Sequence, residues 1–264
     1  MIFQSFASGS SGNCILVGSD SCRILVDCGI SRKRTMDALA AQDMTLEDLD
    51  GIFLTHEHTD HIQGLPMIAK KTRMPIYATR GTIEAVQKKL GDAIDPQRFV
   101  TVQADIPVTV GDLTVNPMKI SHDAAEPVGY RIFGEGKKAC VCTDLGCYDN
   151  YTVDCLQDAD VLLLEANHDV NMLQVGPYPY RLKQRILGNL GHLSNVSSGE
   201  LLTKVLNDHL KAVFLGHLSQ ENNYPDLAFE TVRLEVMEST GDYRAEDLPI
   251  SVASRQQPTA AVEF

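Results

Sequence analysis

Short apolar runs divided by turn residues fill the first third of the chain. The segments IFQSF, CILVG and RILVDCG lie on either side of small-residue turns, the first from Ala7 to Asn13, and this pattern predicts antiparallel strands joined by tight turns. Ser31 is a candidate cap for a helix that reaches about Gln42. A strand from Gly51 to Thr55 then leads into a group of histidines, and a helix to about Lys71 is expected after it.

Strands and helices alternate over the rest of the sequence. Residues 75–79 predict a strand and 80–90 a helix, and residues 99–143 predict several strands with breaks at Gly111, Asn116-Pro117, Gly129 and Gly134–Gly136. After Asp144 we expect a short helix, a strand at 160–165, helices at 179–188 and 196–209, a strand at 212–216 and a helix at 225–240. No linker divides the chain, so one domain over 1–264 is predicted, with a loosely ordered tail at 255–264.

Composition narrows the class of protein. Apolar runs such as 161–164 are far shorter than the roughly 18–20 residues of a membrane-spanning helix, so no membrane partner is expected. The N-terminus lacks the pattern of a secretory signal, and seven cysteines without a C-x-x-C pair predict free thiols in a reducing compartment, the cytoplasm. The net charge of −12 argues against a generally basic surface but leaves room for a local positive cleft.

Three of the eight histidines fall within six residues, in the segment THEHTDH at 55–61. Residues two apart in an extended segment point the same way, so His56 and His58 can bind one metal, while Asp60 and His61 face a second. Three later residues, His122, Asp144 and His217, each end an apolar run that predicts a strand. Because loops after strand ends build active sites, these three are the remaining candidate ligands.

The T-H-x-H-x-D-H motif with a later His, Asp and His resembles the metallo-β-lactamase fold superfamily of hydrolases. The resemblance implies an α/β fold, an αββα sandwich of two mixed sheets flanked by helices. It also implies that Asp27, after the strand that starts at Arg23, supports the histidine loop; the alternative is a simple turn residue. The metal ligands carried over are His56, His58 and His122 for the first ion, Asp60, His61 and His217 for the second, and Asp144 as the bridge.

The implied cofactor is a pair of divalent metal ions. His58 stands where redox members of the superfamily that carry diiron have Glu, so the motif is of the hydrolase type. Every candidate ligand offers nitrogen or oxygen, which favours Zn²⁺ and leaves Mn²⁺ or Fe open. A hydroxide between two such ions is the expected nucleophile.

Two further segments, LEAN at 164–167 and GHLSN at 191–195, resemble the phosphodiesterase branch of the superfamily, which includes RNase Z. By that resemblance Glu165 orients His192, which acts as general acid, so Asp60, Glu165 and His192 are the predicted catalytic residues. The alternative is that His192 only packs or caps a helix beside Gly191. Since 47 residues separate Asp144 from His192, there is no room for the inserted β-CASP domain of RNase J-like enzymes.

Longer segments carry a narrower resemblance. FASGSSGNC, NHDVNMLQVGPYPYRLKQRILGNLGHLSN and LGHLSQENNYP are similar to the YycJ/WalJ-like group of bacterial metallo-hydrolases. That group is associated with 5′→3′ exonuclease activity on DNA. The resemblance therefore implies a nucleic-acid substrate, with DNA favoured.

Candidate substrate-binding residues come from several segments of the chain. Basic and aromatic side chains before His192 could neutralise phosphates and stack on bases, or could form a solvated amphipathic helix. The turn at 8–13 could hold a terminal phosphate or be a plain hairpin turn. The candidates are Ser10, Ser11, Asn13, His168, Tyr180, Arg181, Lys183, Arg185, Ser194 and Asn195.

The leading hypothesis is thus a dinuclear metal-dependent phosphodiesterase, a nuclease that digests DNA in the 5′→3′ direction. One alternative is a hydrolase of a small ester or a cyclic phosphodiester, and another is a non-catalytic nucleic-acid-binding adaptor. The sequence leaves the oligomeric state open, with a homodimer as one option.

Overall fold

A computed structural model describes residues 1–240 and 248–264 of the chain. The strands in it are β1 (Ile2–Ala7), β2 (Cys14–Gly18), β3 (Arg23–Val26), β4 (Gly51–Phe53), β5 (Ile76–Thr79), β6 (Phe99–Val102), β7 (Val108–Val110), β8 (Leu113–Lys119), β9 (Val128–Gly134), β10 (Lys137–Cys142), β11 (Val161–Glu165), β12 (Ala212–Gly216), β13 (Ile250–Val252) and β14 (Val262–Glu263).

The α-helices are α1 (Arg32–Ala40), α2 (Thr59–Ile62), α3 (Leu65–Ala69), α4 (Arg80–Leu90), α5 (Asn150–Leu156), α6 (Val170–Val175), α7 (Tyr180–Leu187), α8 (Asn195–Val205) and α9 (Pro225–Thr240). Single 3₁₀ turns form at Leu46–Asp48, Gly91–Ala93 and Pro96–Arg98. None of the helices in the described ranges is long and apolar enough to cross a membrane.

The described strands form two mixed seven-stranded sheets. One has the order β14-β1-β2-β3-β4-β5-β6 and the other β13-β12-β11-β10-β9-β8-β7. In the first sheet, β1, β2 and β3 are antiparallel and β3 to β6 are parallel. In the second, β7 to β10 are antiparallel and β10 to β13 are parallel. The predicted antiparallel strands at the N-terminus and the αββα sandwich are therefore confirmed.

Alternation along the strands builds three apolar layers. Ile15 and Val17 of β2 face Val141 and Leu163 of the other sheet, in a buried cluster between the two sheets. The intervening residue, Leu16, joins a cluster with α1, α3 and α4 on the outer face. The second sheet packs its outer face against α5, α8 and α9 in the same way. Because each fully buried Leu, Ile or Val contributes roughly 1.5–3 kcal/mol, these layers are the main favourable term in folding.

The two sheets are tied together at the edge where the histidine segment lies. The fully buried Tyr130 of β9 donates its hydroxyl to the Leu54 carbonyl at 2.6 Å. The Val128 amide of the same strand donates to the Thr55 carbonyl at 3.0 Å. Strands β3, β4, β8, β10, β11 and β12 all end at this edge, since β8 and β10 run in the same direction on either side of β9. The fold therefore delivers residues from six strand ends to one place.

Two predicted strand breaks are wrong. Strand β8 continues through Asn116 and Pro117, and Pro117 pairs with Tyr130. The Pro117 carbonyl points away from β9 and accepts from the Asp105 amide. On that side of β8, strand β7 pairs only as far as Val115. A proline that lacks an N–H is tolerated on that side because no ladder hydrogen bond is required there. Gly129 lies inside β9, where a Cβ would meet the Val141 carbonyl at 2.8 Å, so the glycine permits close strand approach and does not end the strand.

The helices also depart from the sequence prediction at three places. The helix expected to reach Lys71 is divided into α2 and α3, because the Gly64 amide donates to the Cys28 carbonyl at 2.8 Å and docks the chain on the loop after β3. Helix α8 ends at Val205, earlier than predicted. Helix α6, which the apolar pattern did not predict, begins after Asp169, whose side chain accepts from the Met172 amide.

The C-terminal segment is held at several points, where a loosely ordered tail was expected. Strand β14 pairs with β1, and Gln4 donates to the Thr259 carbonyl at 2.8 Å. Arg34 donates to the Arg255 carbonyl at 2.8 Å. These bonds use backbone groups of the tail, which side-chain patterns in the sequence do not report.

We expect Gly29→Ala to destabilise the fold. Gly29 lies so close to the turn at Asn13 and to the Asp60 carbonyl that an added Cβ would overlap the Asp60 oxygen and lie 2.6 Å from the Asn13 amide. Relief requires the backbone to move, so the free energy of unfolding in urea should fall by about 2 kcal/mol or more. Gly188→Ala is the control, because its φ is −77° and its nearest neighbour is 3.2 Å away. Equal stability of the two variants would contradict this account.

Candidate metal centre

The histidine segment leaves β4 in an extended conformation, and its side chains alternate. His56 and His58 point to the edge where the strands end, and Glu57 points the other way, where its carboxylate accepts from the Ala125 amide at 2.9 Å. The His58 backbone then begins α2, which carries Asp60 and His61 in its single turn. Because the chain changes from extended to helical after His58, the side chains of Asp60 and His61 take a different direction from those of His56 and His58.

A first cluster contains His56, His58 and His122. One potential ligand atom from each lies within 4.8 Å of the others. The Nδ1 atom of His58 is 3.2 Å from Nε2 of His122. The other nitrogen of His122, Nδ1, lies 3.1 Å from the Gly191 carbonyl, which makes it the protonated one and leaves Nε2 with a free lone pair.

A second cluster contains Asp60, His61 and His217. The Oδ2 atom of Asp60 is 3.3 Å from Nε2 of His217 and 3.5 Å from Nε2 of His61. His217 follows β12, and His61 lies on α2, so the cluster joins the two sheets. A carboxylate oxygen and two imidazole nitrogens are ligand atoms that suit Zn²⁺ and related cations.

Asp144 lies between the two clusters. Its Oδ2 is 3.3 Å from Nε2 of His61, and its Oδ1 is 3.4 Å from Nε2 of His217 and 3.7 Å from Nε2 of His122. One carboxylate thus reaches histidines of both clusters. This is the position that a bridging ligand requires.

Two further buried carboxylates orient the histidines. Asp27 accepts from Nδ1 of His61 at 2.7 Å and from the Thr55 amide and hydroxyl at 2.8 and 2.9 Å. Glu165 accepts from Nδ1 of His217 at 2.8 Å. In both histidines the bond fixes the tautomer, so that Nε2 faces Asp60 and Asp144 without a proton when a metal is bound. The contact of Glu165 with His217 was not predicted from the sequence.

The charges at the centre are unbalanced in the protein alone. Burial opposes protonation of His217, but the Asp144 carboxylate and the bonds to Asp60 and Glu165 outweigh it and raise its pKa to about 10. Burial likewise opposes protonation of His61, yet Asp144, Asp27 and Asp60 raise its pKa well above the usual value. The carboxylates therefore draw positive charge to this position, which a divalent cation would supply.

Two buried atoms at the centre lack a hydrogen bond within the described part of the chain. They are Nε2 of His56 and Oδ2 of Asp144. Burial lowers the pKa of His56 well below its usual value, which favours the neutral form with a lone pair. A buried polar atom without a partner is costly, and metal ligation would remove that cost for both atoms. The donor set of nitrogen and oxygen atoms fits a pair of divalent cations.

Three residues of the centre have a left-handed backbone. The φ angles are +62° at Asp27, +58° at Asp144 and +55° at His217. Residues other than glycine rarely adopt this conformation, and it costs of order 1–3 kcal/mol where the surroundings impose it. Each of the three directly follows a strand or lies one residue beyond it, so the sharp change of direction turns the side chain back over the strand end.

A cavity of about 230 Å³ opens beside the clusters. His192 lines it, is 11% exposed, and has its Nδ1 atom 2.9 Å from Oε1 of Glu165 and 3.8 Å from Oδ1 of Asp144. The second oxygen of Glu165 accepts from the Leu145 and Leu193 amides at 2.7 and 3.0 Å. The remaining lining residues are Ser10, His58, Asp60, Asp144, Asn167, Tyr178, Leu182, Arg185, Ile186, His217 and Ser219.

Of the ten predicted substrate-binding residues, Ser10 and Arg185 line this cleft. Lys183 instead donates to the carbonyls of Gln174 and Gly176, both at 2.7 Å, and so holds the loop before α7. Tyr180 is 74% exposed outside the cleft, and Arg181 is also exposed outside it.

Five more of the predicted residues lie under or beside the site rather than in the cleft. Asn13 is buried, with its amide nitrogen 3.1 Å from Nε2 of His61. Asn195 exchanges hydrogen bonds with the buried Asn223, and Ser194 caps α8. Ser11 is exposed, and its carbonyl accepts from Gln63. His168 is buried, has both ring nitrogens without a partner in the described residues, and has its pKa lowered to about 4 by burial.

Sequence reasoning did not single out four residues of the cleft and its rim. Leu182 and Ile186 form its apolar wall, and their spacing of four along α7 is a signal that the sequence does contain. Ser219 lies two residues after His217. Asp123, next to His122, pairs with Arg185.

Comparison with known proteins places the chain among relatives of similar length. Residues 22–213 match the family described as Beta-lactamase superfamily domain. The chain is 36% identical to exodeoxyribonuclease YycJ of Bacillus anthracis, over 97% of both chains. It is 40% identical to exodeoxyribonuclease WalJ of Streptococcus pneumoniae D39, over 87% of this chain and 86% of that one. The Zn²⁺-bound PqqB of Methylobacterium extorquens has the same fold, with 15% identity, full coverage of both chains and a TM-score of 0.75.

We expect Asp27→Asn to weaken metal binding without unfolding the protein. An amide in place of the carboxylate presents an N–H group to Nδ1 of His61 and favours the tautomer with a proton on Nε2. Loss of such a partner typically lowers metal affinity about 10- to 100-fold, which competition with a chromophoric chelator for Zn²⁺ measures. Asp43→Asn is the control, because Asp43 has a similar φ of +56° on the exposed surface. Affinity that is equal in both variants would exclude the orienting role.

Proposed function

The chain belongs to the metallo-β-lactamase fold superfamily of hydrolases, in its YycJ/WalJ-like group, and from this premise we propose that it is a nuclease that digests DNA from a 5′ end. It is a metal-dependent hydrolase by family. The DNA substrate and the direction are the proposal. The exodeoxyribonuclease names of relatives that match over most of their length support the DNA substrate, and the direction rests on the resemblance of the sequence to the YycJ/WalJ-like group.

The observation that carries the proposal is the geometry of His192. Glu165 holds Nδ1 of this histidine at 2.9 Å on the cleft wall, next to the candidate ligand Asp144. Because Nδ1 is occupied, Nε2 is the nitrogen available for proton transfer. An oriented imidazole beside a metal centre suits cleavage of a phosphodiester, whose leaving oxygen needs a proton.

The residues that would hold two divalent cations are those of the two clusters and the bridge. When bound, the cations would supply a nucleophile derived from water at neutral pH and would neutralise phosphate charge. We propose Zn²⁺ as the ion, with Mn²⁺ or Fe open, because all donors are nitrogen or oxygen. The ligands are His56, His58 and His122 for one ion, Asp60, His61 and His217 for the other, and Asp144 for both.

The chain's own groups divide the remaining work. Glu165 fixes both His192 and His217 through one oxygen and is itself fixed by two backbone amides through the other. Proton donation by His192 and metal retention by His217 therefore depend on the same buried carboxylate. The shared carboxylate therefore fixes the position of the proton donor, His192, relative to the candidate ligand His217.

A second candidate function is hydrolysis of a small ester or a cyclic phosphodiester, because the chain has a net charge of −12, which disfavours a polyanion, and because the cleft is small. Its volume of about 230 Å³ is below the roughly 300–1,000 Å³ of most small-molecule sites. The non-catalytic adaptor is not proposed, since the chain belongs to a hydrolase family. A cytoplasmic location and a homodimer stay predictions.

Loss of a candidate ligand should abolish nuclease activity. With Zn²⁺ or Mn²⁺ the purified protein is expected to shorten end-labelled duplex DNA, and Asp60→Ala should lower the rate by about 1000-fold or more. Asp154→Ala, an exposed position on α5, should leave the rate unchanged. Hydrolysis of bis-p-nitrophenyl phosphate without digestion of plasmid or duplex DNA would instead support the small-substrate alternative, and activity that survives Asp60→Ala would contradict the ligand assignment.

Loss of His192 should affect the chemical step selectively. For His192→Ala we expect kcat on DNA to fall about 100- to 10,000-fold. The fall on bis-p-nitrophenyl phosphate should be much smaller, because p-nitrophenolate leaves without a proton. Metal content should stay that of the parent protein, and His209→Ala, at an exposed imidazole, is the control. Equal losses on the two substrates would remove the general-acid role.

A further inference from the structure

We propose that Arg185 binds a second phosphate of the substrate, adjacent to the one that is cleaved, and that Asp123 positions Arg185 for this contact. The proposal rests on the nuclease function above and specifies what the enzyme recognises beside the scissile bond. That second phosphate is either the 5′-terminal group or the next internucleotide phosphate, and the two share the same chemistry.

Arg185 is the one arginine or lysine among the described residues that line the cleft. The same cavity contains the carboxylates of Asp60 and Asp144, and the whole chain has a net charge of −12. Once the two carboxylates ligate metal, Arg185 is the side chain left to attract further negative charge. A polyanionic substrate therefore has one protein cation to meet on this wall.

The guanidinium of Arg185 is only partly used within the protein. Its Nε and Nη2 atoms donate to the two oxygens of Asp123 at 2.5 and 2.8 Å. The Nη1 atom has no hydrogen-bond partner among the described residues, and the side chain is 44% exposed. Free N–H groups of a planar guanidinium match phosphate oxygens, which a lysine amine does less well.

Asp123 places this guanidinium beside the metal centre and not on it. The Oδ1 atom of Asp123 lies 3.6 Å from Nε2 of His122 and accepts from Nη2 of Arg185 on its other side. The Asp123 amide also donates to the Leu190 carbonyl at 3.1 Å, so the backbone of Asp123 is fixed to the segment after α7. One carboxylate therefore separates the guanidinium from a candidate ligand, which suits a neighbouring phosphate.

The neighbours of Arg185 on α7 do not compete for this role. The ammonium of Lys183 is occupied by two carbonyls, and Arg181 lies outside the cleft. Leu182 and Ile186, which lie on the same helix, line the cleft together with Arg185. The α7 wall of the cleft thus combines one cationic side chain with two apolar ones, so Arg185 is the group on this wall that can bind a backbone phosphate.

The test uses the metal-loaded protein and three single-stranded decanucleotides. The first oligonucleotide carries a 5′-phosphate, the second lacks it, and the third has a neutral methylphosphonate at the second internucleotide position. The rate of release of the first nucleotide is measured for the parent protein, Arg185→Met, the control Arg181→Met, and Asp123→Asn. Thermal unfolding and metal content of each variant are measured alongside.

For the parent protein we expect removal of one of the two phosphate charges to slow release about 10- to 100-fold, as for a hydrogen bond to a charged group. Which oligonucleotide is slow identifies the phosphate. Arg185→Met should process all three equally slowly, because a contact that is already lost cannot be lost again. Arg181→Met should show the same differences in rate among the three oligonucleotides as the parent protein. Asp123→Asn should show smaller differences, and the change should appear mainly in KM.

Two results would overturn the inference. One is a parent protein that processes all three oligonucleotides at the same rate. The other is an Arg185→Met variant that keeps the preference, whatever its overall rate. Failure of the proposed function looks different, since the parent protein would then release no nucleotide from any of the three.

Discussion

The site depends on what occupies the second nitrogen of each buried histidine. An imidazole has two nitrogens, and a partner on one decides whether the other carries a proton or a lone pair. Asp27 takes this position at His61, the Gly191 carbonyl at His122, and Glu165 at His217. These bonds aim three Nε2 atoms at one carboxylate, Asp144, and the centre follows from that convergence.

The fold makes this convergence possible because strands of both sheets end at the same edge of the sandwich. The ties from Tyr130 and Val128 to the histidine segment hold the two edges together, and the left-handed residues at Asp27, Asp144 and His217 turn the side chains inward over the strand ends. Buried hydrogen bonds offset the conformational cost of those turns, and metal ligation would offset it further. Stability of the edge and chemistry of the site are therefore coupled through the same few residues.

The parts of the site that sequence could predict are those set by spacing. The alternation of His56 and His58 and the placing of His122, Asp144 and His217 after apolar runs need only strand geometry, and the structure brings these residues together. Partners that come from distant segments could not be predicted in this way. The carbonyls that occupy Lys183, the Asn195–Asn223 pair and the contact of Glu165 with His217 all depend on tertiary packing, as does the tolerance of Pro117 inside β8.

The structure thus describes a candidate metal centre in which one carboxylate, Asp144, lies between two histidine clusters. Anomalous diffraction from crystals soaked with Mn²⁺ or Zn²⁺ tests this directly. The account predicts two peaks roughly 3.5–4 Å apart on either side of Asp144, one next to His122 and one next to His217. A single peak, or peaks that do not contact Asp144, would contradict it.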